Sequence, residues 1–346
     1  MEEIQPFKYY GITHIIKSMK RNIAIVAGGD SSEWQVSLRS AEGLMTFIPS
    51  ERYNKYIVTI IGKEWHALVD GEKLPIDKND FSFTHKGNKT LFDCAYITIH
   101  GTPGENGILQ GYFRLLRIPF TCCDVLPAAL TFDKFFCNNF LRNSNVKIAK
   151  SIELKSREQK VDVDHILDYI GLPCFIKPSA GGSSFGVTKV KSKEEILPAI
   201  AKAFNEGSKV MIESFISGTE LTCGMYKTAH KTTVFPVTEV VTHNEFFDYD
   251  AKYNGQVDEI TPARIPEELS KRVQKITSEI YDLIEANGII RVDYIVTKED
   301  EIYMLEINTT PGMTATSFIP QQIRAAELEI GDVMTDIIEN SINKLS

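Results

Sequence analysis

Short apolar runs alternate with amphipathic stretches along the first third of the chain. Residues 22–27 form a continuous β-branched run that ends at two glycines, as a buried parallel strand does when it enters a turn. Ser31 and Ser32 can cap the helix that follows. The other predicted elements are strands at 56–61 and 95–99 and helices ending before Pro49 and at 108–116. This alternation predicts a doubly wound parallel sheet over residues 19–122.

The remaining two thirds of the chain mix strands with short helices. The predicted middle elements are helices at 126–143, 163–170 and 194–204 and strands at 148–154, 173–177, 186–190 and 210–213. The sequence after residue 213 then predicts several strands up to residue 241. A long amphipathic helix is predicted to run to Leu283, with Gly288 as its C-cap. The last predicted elements are strands at 289–296 and 302–307 and a helix containing Ile330 and Ile338.

Composition and charge narrow the class of protein. With 346 residues, 43% hydrophobic and 24% charged, the chain is long enough for two or three compact units around a sizeable core. The formal net charge of -8 and the isoelectric point near 5.5 disfavour nucleic-acid binding. No apolar stretch is long enough to predict a membrane helix.

The N-terminal segment and the cysteines favour a cytoplasmic protein. The first 18 residues lack the basic and apolar regions of a secretory signal. Met19 is a candidate true start, and the alternative is an ordinary N-terminal extension. None of the six cysteines forms a C-x-x-C pair, which favours free thiols over disulfides or structural zinc.

Three oxygen-bearing side chains are predicted on adjacent strands near the C-terminus. Glu306 and Asn308 are two residues apart, so they share one face of a strand, and Asp293 can join them from its neighbour. Such donors suit Mg²⁺ shared with substrate phosphates. The alternative is a solvated acidic face, which is disfavoured because Arg291 and the tight turn at 309–312 flank the cluster.

Two loops carry further candidate chemistry. The glycine- and serine-rich loop 178–186 follows Lys177, so its backbone amides can cradle phosphate oxygens, although a mobile hairpin loop has the same composition. The loop 100–107 follows a predicted strand and contains His100 and Glu105, which favours a ligand site. Glu33 begins a helix at the same sheet edge, where an ordinary interaction with the helix dipole is the alternative. P-loop and dinucleotide-binding glycine motifs are absent from the sequence.

These motifs occur in the order in which D-alanine:D-alanine ligases carry them, and the chain resembles that ATP-grasp family over about residues 22–340. The matching segments are AGGDSSEWQVS (27–37), HGTPGENGILQG (100–111), DK (133–134), KPSAGGSSFG (177–186), FFDYDAKY (246–253), RVD (291–293) and EINTTPGMTATS (306–317). Each segment alone is weak, but the seven in order are specific.

The resemblance implies an α/β, three-domain ATP-grasp architecture. Its expected parts are an N-terminal extension (1–18), a doubly wound, Rossmann-like substrate domain (19–122), a small α+β central domain (123–212) and an α+β catalytic domain (213–346). ATP is expected between the last two domains. A homodimer in the cytoplasm is also implied, without nucleic-acid or membrane partners.

The resemblance also implies roles at the nucleotide. Lys134 and Lys177 match the lysines that contact the phosphates, while Glu213 and Glu220 match the residues that hold the adenine amino group and the ribose. Two Mg²⁺ ions are expected, for which Mn²⁺ can substitute. Their implied ligands agree with the oxygen donors already identified, namely Asp293, Glu306 and Asn308.

The substrate side is assigned in the same way. Glu33 matches the residue that faces the ammonium group of the first D-alanine, and with Ser183 and Tyr253 it forms an expected latch over the site. His100 is expected to bind substrate. Two further pairs complete the set, with Arg291 and the Gly312 amide as the oxyanion site and Lys252 and Ser317 at the carboxylate of the second substrate.

The implied reaction joins two D-alanine molecules. ATP phosphorylates the first carboxylate, and the amine of the second molecule attacks the resulting acyl phosphate, releasing ADP and phosphate during peptidoglycan precursor synthesis. Gly181 and Phe247 depart from residues common in the family, which leaves loop contacts open. Two alternatives stay open, a ligase that accepts D-lactate or D-serine, disfavoured by Tyr253, and a non-catalytic ATP-grasp binding module, disfavoured by Arg291.

Overall fold

The computed structural model describes residues 20–182, 186–242 and 257–344. Its first part contains β1 (Arg21–Gly28), α1 (Trp34–Phe47), β2 (Tyr53–Ile61), β3 (Glu64–Val69), β4 (Glu72–Pro75), β5 (Phe83–His85), β6 (Asn88–Thr90), β7 (Cys94–Ile97) and α2 (Ile108–Leu116). Five of these strands form a sheet in the order β4-β3-β2-β1-β7, and β5 pairs with β6.

The prediction of an all-parallel first sheet is wrong at one edge. β1 is parallel to β2 and β7, but β3 and β4 are antiparallel additions. The reason is turn length. Ile61 pairs with Glu64 across a two-residue turn at Gly62, where φ is 51°, and so short a connection can only reverse the chain.

The start of α1 also differs from the prediction. Glu33, and neither serine, is the N-cap residue, and its side chain makes no capping hydrogen bond. Ser31 Oγ instead donates to His100 O at 2.7 Å. The predicted serine cap is therefore wrong, because Ser31 is used to connect two loops at the edge of the sheet.

The middle part forms a four-stranded antiparallel sheet. Its elements are α3 (Val125–Phe132), α4 (Lys134–Leu141), β8 (Lys147–Ile148), β9 (Ser151–Leu154), α5 (Val163–Tyr169), β10 (Cys174–Pro178), β11 (Thr188–Val190), α6 (Ile196–Glu206) and β12 (Val210–Ser214). The sheet order is β11-β10-β12-β9, and β8 joins another sheet. The single helix predicted at 126–143 is broken at Asp133, whose extended backbone forms a bridge to Ala180 and whose carboxylate caps Phe136 N.

The last part is built on a larger sheet in the order β16-β15-β13-β17-β18-β8, with β14 paired to β13. The elements are β13 (Thr219–Lys227), β14 (Thr232–Val234), β15 (Thr238–Thr242), β16 (Val257–Ile260), α7 (Glu267–Leu283), β17 (Ile290–Val296), β18 (Ile302–Asn308), α8 (Phe318–Ala325) and α9 (Ile330–Asn343). α8 was not predicted. The prediction that Gly288 is the C-cap of α7 is wrong, because the helix ends at Leu283. A Cβ on Gly288 would lie 1.8 Å from Thr121 O, so the glycine instead permits a close approach to that backbone.

Hydrophobic packing couples the first and last parts but leaves the middle sheet separate. Ile23 and Ile25 of β1 belong to one core cluster with Ile319 of α8 and Ile337 of α9. α3 and α4 pack into the core of the last sheet. The middle sheet and helices α5 and α6 enclose a core of their own. This arrangement gives the middle sheet the fewest apolar ties to the rest of the molecule.

All six cysteines are buried and free, which confirms the prediction of thiols without disulfides. Within the described ranges, none of the helices is long and apolar enough to cross a membrane.

Candidate active site

A cleft brings together side chains from all three parts of the chain. Its lining includes Glu33, His100, Glu105, Lys134, Gly181, Gly182, Glu306, Asn308 and Thr309. The carboxyl ends of β1, β7 and β18 supply most of the polar residues. Predicted residues more than 200 positions apart in sequence therefore lie in one cleft.

A β-bulge sets the orientation of the acidic residues on the last hairpin. Asp293 pairs with Glu306, but Tyr294 pairs with Met304, so the register shifts by one residue. Ile302 and Met304 are buried in the core before the shift, and Ile307 is buried after it. A regular strand would place Glu306 on the same face as Met304. The bulge turns Glu306 to the cleft beside Asn308, as bulges near functional sites often do.

Arg291 and Asp293 form a buried ion pair on β17. The guanidinium donates to both carboxylate oxygens, from Nε at 2.9 Å and from the terminal nitrogen at 2.8 Å. Asp293 also accepts from Thr222 Oγ1 at 2.5 Å and from Asn308 Nδ2 at 3.1 Å. Sequence analysis missed Thr222. Its position in the alternating pattern of a strand is the only feature of the sequence that indicates which face of the sheet it occupies.

The surroundings of Arg291 keep its side chain charged. Burial opposes the charge, but the Asp293 carboxylate outweighs it, and with contributions from Glu306 and Glu259 the pKa of Arg291 is raised. The guanidinium carbon lies 5.1 Å from the centre of the Phe318 ring. A fixed positive charge is thus held on β17, opposite Asn308 on β18.

Lys134 connects the broken helix pair to the glycine-rich loop and to the acidic strand. Its ammonium donates to Gly181 O at 2.6 Å and lies 3.5 Å from Glu306 Oε2. Its backbone N–H donates to Ser179 O at 2.8 Å. The break at Asp133, which sequence analysis missed, is therefore what places Lys134 under the loop.

Lys177 and Glu213 face each other on neighbouring strands of the middle sheet. Lys177 Nζ lies 2.6 Å from Glu213 Oε2, and the two side chains are 15% and 5% exposed. Asn138 Nδ2 donates to the other carboxylate oxygen at 3.2 Å. Glu220 lies on β13, two residues before Thr222, and is half-buried. Of the four predicted nucleotide residues, Lys177 and Glu213 are thus in direct contact, while Lys134 begins α4 and Glu220 lies on β13.

Glu33 lies directly against the glycine-rich loop. A Cβ built on Gly182 would come 2.3 Å from Glu33 Oε2, so a larger residue there would have to displace the Glu33 carboxylate. Ser183, Phe247, Lys252 and Tyr253 lie outside the described residues, as does the N-terminal extension with Met19.

The loop after β7 places His100 and Glu105 at the cleft. His100 is 8% exposed, and its Nε2 atom has no hydrogen-bond partner among the described residues. Glu105 accepts from Gly101 N at 2.7 Å. Burial raises the pKa of Glu105, the nearby Glu33 charge adds to this, and His100 and the hydrogen bonds oppose it. Glu105 is a site residue that the loop composition indicated without assigning it a role.

The turn after β18 brings Gly312 to Ser317. A Cβ on Gly312 would lie 3.0 Å from Ser317 Oγ, which also lies 2.7 Å from Thr314 Oγ1. Ser317 is the N-cap residue of α8. Both residues therefore lie where β18 passes into α8, next to Phe318 and its contact with Arg291.

The described residues include no group of three His, Cys, Asp or Glu side chains arranged to hold a metal ion. The predicted set consists of two carboxylates and one amide. They lie on one face of β17 and β18, with Asp293 opposite Glu306 and Arg291 opposite Asn308. Oxygen donors are thus gathered as predicted, although Asp293 already interacts with an arginine.

Comparisons with known proteins agree with this geometry. A family model described as D-ala D-ala ligase N-terminus matches residues 22–123, and one described as D-ala D-ala ligase C-terminus matches residues 141–339. The chain is 66% identical over 323 residues to a D-alanine–D-alanine ligase of Bacteroides fragilis, covering 93% of this chain and 99% of that protein.

Solved structures have the same fold. The VanG D-Ala:D-Ser ligase of Enterococcus faecalis is 30% identical with a TM-score of 0.84, covering 93% of this chain and 100% of that one. A D-alanine–D-alanine ligase of Bacillus anthracis complexed with ATP is 28% identical with a TM-score of 0.74, covering 94% and 98%. The chain is an enzyme that belongs to the D-alanine–D-alanine ligase family.

Proposed function

We propose that this enzyme joins two D-alanine molecules to D-alanyl-D-alanine with ATP, through an acyl phosphate, in the cytoplasmic synthesis of peptidoglycan precursors. The observation that carries the proposal is the grouping of the Arg291–Asp293 pair with Glu306 on the neighbouring strand and with Lys134, 3.5 Å from Glu306, in a chain 66% identical to a named ligase. Both chemical steps build negative charge on oxygen, and fixed positive groups stabilise such charge.

ATP is assigned to the space between the middle sheet and the last sheet. Lys177 and Glu213 belong to the middle sheet, and Glu220 and Glu306 belong to the last sheet. Lys134 starts α4 and lies between the two sheets. The separate core of the middle sheet supports a central domain that closes on the remainder, although α3, α4 and β8, which the predicted division assigns to it, pack with the last sheet. Closure serves the chemistry, because water would hydrolyse an acyl phosphate.

The metal residues fit Mg²⁺. Carboxylate and amide oxygens are its preferred donors, and Glu306 is one third exposed with a charged group, the Lys134 ammonium, 3.5 Å away. Asp293 already accepts two hydrogen bonds at each carboxylate oxygen, so to bind the metal it would exchange its contact with Thr222 or Asn308. When bound between Asp293, Glu306 and Asn308, the metal would neutralise charge on the transferring phosphoryl group.

The chain's own residues orient the two amino acids. Glu33 supplies a carboxylate for the ammonium of the first D-alanine, and His100 lies next to it in the cleft. Arg291 and the Gly312 amide are placed to stabilise the oxyanion formed when the second amine attacks. Ser317 is placed to hold the carboxylate of the second molecule, which fixes the direction of that attack.

The test is product analysis with purified enzyme. ATP, Mg²⁺ and D-alanine should give ADP, phosphate and D-alanyl-D-alanine in equal amounts, with little phosphate when no amino acid is present. Adding D-lactate or D-serine to D-alanine should yield little mixed product. A dominant mixed product would instead make this a D-lactate- or D-serine-accepting ligase, and no amino-acid-dependent phosphate release would favour a binding module.

An exposed apolar surface supports the proposed homodimer. Four large side chains of α2 and α3 are 39% to 85% exposed, namely Ile108, Leu115, Val125 and Leu126. Val125 and Leu126 also line a cavity of about 370 Å³ that can receive side chains from a second copy. Contiguous exposed apolar patches on folded proteins usually mark interaction sites.

Charge placed on this surface should separate the subunits. Leu115→Asp combined with Leu126→Asp is expected to convert a dimer into a monomer in light scattering, because each carboxylate would have to be buried in the interface. Leu283→Asp on α7, where the leucine is 41% exposed, is the control and should leave the mass unchanged. A wild-type monomer, or a double variant that stays dimeric, would contradict the assignment.

A further inference from the structure

A buried glutamine completes the hydrogen bonding of the central strand β13. This strand pairs with β15 through residue 222 and with β14 from residue 225 onward. Between them, the Gly224 N–H donates to Gln322 Oε1 at 3.0 Å. Gln322 Nε2 donates to Thr222 O at 3.1 Å and to Thr238 Oγ1 at 3.0 Å. The glutamine amide thus acts as a short piece of strand.

This contact fixes the position of helix α8 on the sheet. Gln322 is fully buried, and a Cβ on Gly224 would lie 2.3 Å from Ile319 Cδ1, so the helix rests directly on the strand backbone. One turn earlier, α8 begins at Ser317 and Phe318, and Phe318 packs on Arg291. Moving the glutamine anchor would move the start of the helix.

Thr222 of β13 also contacts the ion pair between Asp293 and Arg291. Thr222 accepts from Gln322 through its backbone oxygen and donates its hydroxyl to Asp293 Oδ1, which binds Arg291. The residue next to Gln322, Gln321, lies at the solvent-exposed side of the helix and contacts Glu259. Gln322, unlike Gln321, therefore hydrogen-bonds to β13, which pairs with the strand that carries Arg291.

We propose that Gln322 is a positioning residue for the second substrate, acting through Ser317 and Phe318 and through the Thr222–Asp293 contact. This inference rests on the proposed ligase function. Its consequence is selective. Loss of the amide should disturb capture of the acyl phosphate by the second amine more than formation of the acyl phosphate. Formation depends on Lys134, Lys177 and Glu306 on other elements, and Asp293 keeps both of its hydrogen bonds from Arg291.

The test is the ratio of ADP released to dipeptide formed. Gln322→Met keeps the approximate length of the side chain but removes its donors and acceptor, so water should compete for the acyl phosphate. The ratio is expected to rise at least about threefold above the wild-type value, since small misplacements of a reacting group have large effects on rate. The KM for ATP should change less than about twofold, because uniform binding of the nucleotide is untouched.

Thr277→Val is the matched control. Thr277 is equally buried and bonds Tyr294 on the core side of the sheet, so this variant should lose stability without raising the ratio. If Gln322→Met does not fold, Gln322→Glu, which keeps an acceptor for Gly224, replaces it under the same criterion. An unchanged ratio in a folded Gln322 variant, or an equal rise in Thr277→Val, overturns the inference. Failure of the wild type to make dipeptide would instead overturn the proposed function.

Discussion

Replacing Glu306 with glutamine is expected to lower kcat by about 10²- to 10³-fold without unfolding the protein, which is the usual scale for losing one electrostatic contact to a transition state. The substitution keeps the size of the side chain but removes its negative charge. Glu306 is one third exposed and 3.5 Å from Lys134, so its charge serves the cleft more than the core. ADP release at saturating ATP and D-alanine measures the loss, and the Mg²⁺ concentration for half-maximal rate should rise.

Glu301→Gln is the matched control for this variant. Glu301 precedes β18 on the same hairpin and forms an ion pair with Lys147 in which both side chains are largely exposed. Such pairs contribute about 0–1 kcal/mol to stability, so kcat and the Mg²⁺ dependence should stay at the wild-type level. A Glu306→Gln enzyme with kcat within a few fold of wild type would remove Glu306 from the metal assignment.

The fold was predictable where periodicity and turn chemistry agree. β17, β18 and α2 lie within one or two residues of their predicted bounds, because their apolar patterns end at clear turns. The antiparallel edge of the first sheet was missed although Asp70–Gly71 between β3 and β4 is a standard hairpin signal, and both residues have positive φ. α8 was missed because Pro320 indicates a loop when it is taken alone. Proline is in fact tolerated in the first turn of a helix, which is where Pro320 lies.

Other features depend on contacts that no local pattern contains. The break between α3 and α4 accompanies the bridge from Asp133 to Ala180, which lies two residues after the end of β10 and is remote in sequence. The bulge that turns Glu306 to the cleft is visible only in the pairing of β17 with β18. The residue types of the site were therefore predictable from motif spacing, whereas their orientation follows from tertiary pairing.

The division of cores indicates how the site can open. β1, α8 and α9 share apolar packing, and Arg21 and Tyr53 both contact Glu339 of α9. The middle sheet shares none of this core and instead meets the cleft through polar contacts such as Lys134 with Gly181 and the Glu33 approach to Gly182. Polar contacts exchange with water at low cost, so substrate entry should separate the glycine-rich loop from the remainder and leave the Arg291 site intact.

Lys177→Met is expected to abolish most activity and also to destabilise the protein. Glu213 is only 5% exposed, and the variant would leave its carboxylate with the hydrogen bond from Asn138 Nδ2 at 3.2 Å but without its positively charged partner. Breaking a buried ion pair by removing one partner typically costs about 3–5 kcal/mol. A single variant therefore cannot tell loss of a phosphate contact from loss of structure.

The double variant Lys177→Met/Glu213→Gln separates the two effects. Neutralising Glu213 removes the buried unpaired charge, so the free energy of unfolding measured in urea should return most of the way to the wild-type value. Activity should not return if Lys177 has its proposed role, because the double variant still lacks the positive charge assigned to the ATP phosphates, and kcat/KM for ATP should stay at least about 100-fold below wild type. Glu213→Gln alone should weaken ATP binding while keeping a measurable kcat. Recovery of activity together with stability in the double variant would show that Lys177 serves only its ion pair with Glu213, and the phosphate role would pass to Lys134 alone.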